Sequence, residues 1–344
     1  MNGRSRGLLG SSLRFGLWFA SLGYGLVVRI RNRQFDSGRR ESIECGVPVI
    51  SVGNLTTGGT GKTPVVCLLA NYFRQRRVRV ALVSRGYARG VADHNDEAEE
   101  LHQRLPDVPH LQDPDRVQAA QIAVEELESQ LIVMDDGFQH RRLARHLDIV
   151  VVDATCPFGF GHLLPRGLLR EPLTGLRRAD AVIISRSDQV DAKRLDQIKS
   201  SVSKHNPELP FLLSVHKPVG LLDDRGQTEP IDSLAGTRVV AFCGIGNPDA
   251  FRRTIETAGA TLLDIKALPD HAEYDRARVD SLTEWVRNSN GPSLVLCTHK
   301  DLVKVRRDRL GGLPLRAIVI DLEIEGLESL EPALAGILQK CRES

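Results

Sequence analysis

The sequence predicts an α/β protein built on a doubly wound, mainly parallel sheet, with a second, smaller α/β domain. Three observations carry this. Short runs rich in Val, Ile and Leu recur with little polar alternation, as strands buried on both faces do. Stretches of helical period separate them, and alternating β and α elements favour a parallel sheet covered on both sides. Near residues 217–232 the run KPVGLLDDRGQTEPID, rich in Gly, Pro and Asp, interrupts the pattern, and a second βα series follows it.

Strands are expected at residues 47–52, 78–84, 131–134, 149–152, 181–185, 211–216, 238–243, 261–265, 293–297 and 317–322. Helices are expected at 64–74, 115–128, 191–205, 248–259, 274–289 and 330–341. The domain expectation is an amino-terminal helix over 1–35, a larger domain over 36–215 and a smaller one over 216–344.

The amino terminus carries eight arginines in its first forty residues against one acid, Asp36, and an uncharged run from Phe15 to Val28. A spanning helix needs roughly 20 apolar residues, so fourteen are too few to cross a bilayer. Phe15, Phe19, Leu22 and Leu26 share one helical face, with Trp18 beside them. Flanked by arginines, that pattern fits a helix lying in a membrane interface. A helix packed on the protein's own core, a solvated basic end and a secretory signal are the alternatives, and the last conflicts with a nucleotide loop further on.

The 344-residue chain has 41% apolar and 26% charged residues, ordinary for a folded protein, and a net charge of +2, which gives no reason to expect a nucleic-acid partner. Its six cysteines form no C-x-x-C pair, and several sit in apolar runs, which reads as reduced, buried thiols.

The run Gly53-Asn-Leu-Thr-Thr-Gly58-Gly59-Thr60-Gly61-Lys62-Thr63 follows a predicted strand and opens a predicted helix, the setting of a phosphate-binding P-loop. Gly58, Gly59, Thr60 and Gly61 would turn backbone N–H groups toward phosphate oxygens. Lys62 would reach the β- and γ-phosphates, and Thr63 would ligate Mg²⁺. Pro64 is tolerated in the first helical turn. Position 56 is Thr where the strict pattern has Gly, so a plain glycine turn is the competing reading.

A second signal is the apolar run Leu131–Met134 ending in Asp135 and Asp136, followed by Gly137, Gln139 and His140. An acid at a strand's carboxyl end beside a P-loop is placed to hold Mg²⁺. Which of the two would touch the metal stays open. Alone, such a DDG would more often be a turn.

In order, GNLTTGGTGKTP, SRGYARG, NDEAEEL, MDDGFQHRRLARHLDIVVVD, LLPRGLLREPL, FCGIGNP, LPDHAEY and THKDLVK resemble the tetraacyldisaccharide 4'-kinase family, the lipid A kinases of Gram-negative bacteria. The resemblance runs from the amino-terminal helix to near the carboxyl end. It implies transfer of the γ-phosphoryl of Mg-ATP to the 4'-hydroxyl of a tetraacylated disaccharide 1-phosphate, giving the lipid IVA type of product. It further implies a P-loop NTPase-like larger domain, a flexibly linked smaller domain closing over the active site, and peripheral or monotopic residence at the cytoplasmic face of the inner membrane. No obligate protein partner is expected.

By position, Lys62 and Thr63 match the family's P-loop pair, Asp135 and Asp136 its acids, and Gln139 and His140 the QH that follows. Asp96 and His271 match an acid and a histidine that together serve as the base, although Asn95 replaces the family's glycine. Arg85, Tyr87 and Arg170 match positions near substrate or phosphate. Assigned to the two expected domains, Asp96 and His271 would meet only on closure, and a carboxylate-oriented histidine suits proton removal from a sugar hydroxyl.

Three other readings are weaker. Thr298-His299-Lys300-Asp301 resembles a guanine-reading NKxD pattern, but Asp135-Asp136-Gly137 does not supply the D-x-x-G spacing of a GTPase. A membrane-recruited ATP switch would carry a lysine before its paired glycines, where this chain has Thr57. A kinase of soluble small molecules fits the arginine-flanked amphipathic terminus poorly.

Overall fold

The computed structural model describes residues 8–86, 96–269 and 272–343. In chain order its elements are α1 (Leu8–Asp36), β1 (Val49–Gly53), α2 (Lys62–Arg74), β2 (Val80–Ser84), α3 (Asp96–Arg104), β3 (His110–Gln112), α4 (Arg116–Glu125), β4 (Leu131–Asp135), β5 (Leu147–Asp153), β6 (Ala181–Ser185), α5 (Ala192–Ser203) and β7 (Phe211–Leu222). There follow β8 (Thr228–Pro230), β9 (Arg238–Cys243), α6 (Pro248–Thr257), β10 (Thr261–Ala267), α7 (Arg276–Asn288), β11 (Leu294–Thr298), α8 (His299–Val305), β12 (Arg309–Leu310), β13 (Leu313–Glu325) and α9 (Glu331–Glu343).

The chain divides into two compact units, one of residues 1–93, 105–215 and 324–344, the other of 94–104 and 216–323. In the first unit the strand order is β7–β6–β5–β1–β4–β2–β3, every neighbouring pair parallel. Residues of β1, β2, β4 and β6 are buried throughout. That is why these strands read as continuous apolar runs: both faces are covered. One face packs Ala81, Val83, Ile132 and Met134 against Val117, Ala120 and Ala123 of α4, while Val150, Val152, Val182 and Ile184 pack with Ile198 and Val202 of α5.

The second unit repeats the logic on a smaller scale. Its sheet runs β10–β9–β11–β13, all parallel, with β12 antiparallel on β13. Phe242 and Val295 meet α7 and α8, and Phe251 and Ile255 of α6 meet Val239 and Ala241 on the other side.

Two segments group otherwise than the sequence reading assigned them, and the stretch it read as the boundary is itself structured. First, residues 217–232, read as the boundary, hold regular structure. They continue β7, whose Gly220, Leu221 and Leu222 pair antiparallel with Pro230, Glu229 and Thr228 of β8. The turn is closed by Asp223, which accepts hydrogen bonds from Arg225 N (2.9 Å) and Gln227 N (2.8 Å). Glycine and proline there mark a tight hairpin. Second, α3 groups with the second unit and packs on α8, and its Arg104 donates to the carbonyl of Ile320 in β13 at 3.3 Å. Asp96, at the start of α3, thus groups with the second unit, whereas the sequence reading assigned it to the larger domain. Third, α9 returns to the first unit, where Gln130 donates to the carbonyl of Cys341 at 3.3 Å. All six cysteines are free, five of them buried.

Ile132 in β4 has no exposed surface and is paired on both sides, by β1 and β2. Ile132→Ala is expected to cost about 2–5 kcal/mol and Ile132→Val about 1 kcal/mol, read from urea unfolding of the first unit.

Candidate active site

The phosphate loop runs from the end of β1 to the start of α2. Gly58 and Gly61 hold φ of 108° and 85°, a left-handed backbone that side-chain-bearing residues rarely adopt. Gly61 directly precedes Lys62, so its conformation aims the first N–H groups of α2 back along the loop, where a helix amino terminus favours anions. Position 56, outside the strict pattern, serves to tie the loop down. Thr56 forms an antiparallel bridge with Leu169, and Thr57 N donates to Leu168 O at 2.8 Å. The loop is pinned from inside as well. Asn54 donates to Thr60 Oγ1 (3.0 Å), Ser185 to Thr60 O (2.7 Å), and Arg186 to Gly59 O (3.2 Å) while pairing with Asp153. These bonds fix the loop in shape before any ligand arrives.

The acidic turn lies against it. A Cβ on Gly53 would come within 2.5 Å of Phe138 Cβ, so this glycine is what lets strand end and acidic turn touch. Asp135 ends β4 and is 3% exposed; its Oδ1 accepts from Asp136 N at 2.9 Å. Asp136 adopts φ 52°, a conformation Asp tolerates better than most residues, so the two neighbouring carboxylates diverge. The Asp136 carboxylate accepts from Arg170 Nη1 at 2.8 and 2.7 Å and lies 3.5 Å from Lys62 Nζ. Burial raises its proton affinity, but Lys62 and Arg170 outweigh that, and the group sits below its ordinary carboxylate range.

The residues that follow are held by protein partners. Gln139 Nε2 donates to Asn54 O and to Glu171 Oε1, both at 2.8 Å. His140 Nδ1 accepts from Arg116 Nη1 at 3.1 Å. Burial, and then the Arg116 charge, push His140 down to about 4, so its ring is neutral at ordinary pH. Arg85, just past β2, is exposed. Its charge adds to the burial that lowers the Arg116 guanidinium. Tyr87 and His271 lie outside the described residues. Asp96 opens α3, and its side chain lies outside them too.

Sequence reasoning missed three partners. Glu171, 1% exposed, accepts from both Nη atoms of Arg178 at 2.7 and 2.8 Å, and Arg178 stacks 3.7 Å over the Phe138 ring. Arg116, 7% exposed, joins His140 to the Asp136 carbonyl. A signal for Arg116 existed: a cation at the first position of a helix opposes the helix dipole and needs another employment. Glu171 and Arg178 gave none, because nothing in their spacing points at Phe138.

The donor set fits Mg²⁺ better than a softer ion. Among the described residues no group of three His, Cys, Asp or Glu is placed to hold a metal. The donors read from the sequence, two carboxylates and the Thr63 hydroxyl, are all hard oxygens. Magnesium bound with nucleotide takes its remaining ligands from phosphate and water.

The family described as tetraacyldisaccharide-1-P 4'-kinase matches residues 13–339. This chain belongs to that family. The tetraacyldisaccharide 4'-kinase of Anaeromyxobacter dehalogenans (strain 2CP-C) is 37% identical over 349 residues, covering 96% of this chain and 92% of the relative. That of Halothermothrix orenii is 33% identical over 340 residues, covering 89% and 88%. The crystal structure of LpxK from Aquifex aeolicus in complex with ATP matches with a TM-score of 0.73 at 28% identity, over 95% of this chain and 99% of that one. The P-loop NTPase-like fold read from the sequence thus holds for this 4'-kinase family member.

The guanine-reading alternative loses its carboxylate. Asp301 is 1% exposed and accepts from Gly244 N (3.1 Å), the Tyr274 hydroxyl (2.7 Å) and Thr298 Oγ1 (2.6 Å). Three of the motifs that carry the family resemblance, FCGIGNP, LPDHAEY and THKDLVK, therefore meet at one buried acid whose role is internal.

His140 supplies a pH test. Its folded proton affinity is depressed to about 4 from 6.5, so between those values the unfolded chain binds more protons. That contribution to stability is complete above about pH 6.5 and is lost as pH falls toward 4. His140→Gln should flatten this part of the profile, read as a smaller drop in urea midpoint between neutral pH and pH 5 than in the parent.

Proposed function

We propose that this chain transfers the γ-phosphoryl group of ATP to the 4'-hydroxyl of a tetraacyldisaccharide 1-phosphate, the step of lipid A biosynthesis that yields lipid IVA. The observation that carries the reading is the 3.5 Å approach of Lys62 to Asp136, which brings the P-loop cation and the strand-end acid to one point. Gly58, Gly59, Thr60 and Gly61 cradle the triphosphate, and Lys62 neutralises its β- and γ-oxygens. Thr63, Asp135 and Asp136 would hold Mg²⁺, which would draw charge off the transferring phosphoryl group. Arg170, Gln139 and His140 are proposed to line the site, and Arg85 and Tyr87 to meet the phosphate or the acceptor. Since both Gln139 and His140 already serve protein partners, their part is to shape the wall of the site.

The accepting hydroxyl must lose a proton as it attacks. Asp96 and His271 are the proposed base, the carboxylate orienting the imidazole and stabilising its charged form. Asp96→Ala and His271→Ala should each lower kcat by about 10²–10⁴-fold with little change in KM for ATP. A parental rate would remove the residue from the mechanism. With labelled ATP and a panel of acceptors in detergent, label should enter the acylated disaccharide and not its deacylated form; Lys62→Ala should abolish it.

The membrane is the proposed second partner, at the cytoplasmic face of the inner membrane, where ATP is supplied. No helix among the described residues is long and apolar enough to cross. On α1, Phe15, Phe19, Leu22, Leu26 and Ile30 are each at least half exposed and recur at helical spacing, with Arg14, Arg29 and Arg33 beside them. An anionic bilayer surface would cover the stripe and attract the arginines. Replacing Phe15, Phe19, Leu22 and Leu26 together by Ser should cut co-sedimentation with anionic vesicles severalfold; undiminished sedimentation would refute the membrane reading.

A further inference from the structure

The face of α1 opposite its apolar stripe is polar where an anchor has no need to be. Ser21, Tyr24, Gly25, Asn32 and Phe35 turn inward. A Cβ on Gly25 would lie 2.7 Å from Leu163 Cδ1, so the helix sits close on the segment that leads to Arg170. From this face the Tyr24 hydroxyl donates to Arg170 O at 2.8 Å. Arg31 Nη2 donates to Gln139 O at 2.7 Å. Asn32 Nδ2 donates to Glu171 Oε2 at 3.2 Å. Further along, Arg141 ties the other end, donating to Asn32 O at 3.0 Å and pairing with Asp36 at 2.7 Å.

Each acceptor belongs to the frame of the phosphate site. Arg170 grips Asp136 through its side chain and, through its N–H, donates to Leu55 O in the phosphate loop at 2.8 Å. Gln139 bonds Asn54 O, and Glu171 holds Gln139. One bond therefore separates α1 from the residues that set Asp136 and the loop entrance. A helix that served only to meet lipid would gain nothing from aiming a phenol, a guanidinium and an amide at three elements of this frame, and ordering those side chains costs entropy.

We propose that Tyr24, Arg31 and Asn32 are positioning residues for phosphoryl transfer: α1 fixes Arg170, Gln139 and Glu171, so the helix that meets the membrane also forms part of the wall of the reaction site. This rests on the reading of the Asp136–Arg170 pair as part of that site. Phosphoryl transfer depends on alignment, and small displacements of a framing residue are costly in rate while leaving nucleotide affinity largely intact.

The test uses the full chain with acylated acceptor in detergent micelles, so that no bilayer is involved. The variants are Tyr24→Phe, which removes one oxygen and keeps the ring, Asn32→Ala, their combination, and Asn32→Asp, which sets a second carboxylate against Glu171. Tyr24→Phe and Asn32→Ala should each lower kcat about fivefold and the pair more than tenfold, since each removes one hydrogen bond from a buried frame. Asn32→Asp should be worse than Asn32→Ala. KM for ATP, binding of a fluorescent ATP analogue and co-sedimentation with vesicles should stay within twofold of the parent. Parental kcat in the double variant overturns the proposal. So does a loss confined to KM for the lipid or to vesicle binding, or a loss of rate that merely tracks the fraction of protein able to bind the analogue. Arg170→Ala separates the two layers: if it turns over like the parent, the reading of the site itself fails; if it is inactive while the α1 variants are normal, only the coupling fails.

Discussion

The Asp136 carboxylate, gripped by Arg170 and approached by Lys62, is the contact on which the candidate site depends. Its three participants come from three different stretches of chain: the phosphate loop, the turn after β4 and the segment after residue 163. A half-buried acid in that position is stable only because two cations outweigh the cost of its burial. A polyphosphate entering the loop competes with Asp136 for Lys62, so the site is prepared for negative charge and does not have to assemble it.

Around that centre the charges are graded. Arg116, Arg170 and Lys62 surround two carboxylates, while His140 is kept neutral by its burial and by the cation it faces. A neutral ring beside Arg116 accepts a hydrogen bond without adding a further positive charge. Behind this layer lies a second pair, buried Glu171 with partly buried Arg178, the latter stacked on Phe138. Its value is geometric. A planar guanidinium with two bonds to one carboxylate and a ring beneath it has little freedom, and Phe138 sits in the turn that carries Asp136.

Much of this was legible in the residues. Parallel strands announced themselves as apolar runs, and the strand–glycine–lysine–helix order matches the passage from β1, ending at Gly53, to α2, starting at Lys62. Asp135 and Asp136 were legible because acids after an apolar strand are out of place in a core. What failed to show has physical reasons. Helices α3 and α8 are short, and α3 is dominated by charged residues, so neither has a strong apolar face to read. Strand β3 spans only three residues. The hairpin of β7 and β8 looked only like a domain boundary because tight turns and chain breaks use the same glycines and aspartates. Glu171 and Arg178 act through packing across distant segments, and a lone acid or arginine in a sequence carries no address.

The course of the chain has a consequence of its own. Residues 96–104, taken from the midst of the larger unit's sequence, complete the smaller one, and the final helix, made after the smaller unit, completes the larger. Neither unit is a contiguous piece of polypeptide. On the ribosome the smaller unit can close only after its early segment has waited for more than a hundred residues of sequence, and the larger only when almost the whole chain has emerged. The two bodies are laced together by connectivity, so cutting the chain near residue 215 would yield two fragments each missing a part of itself.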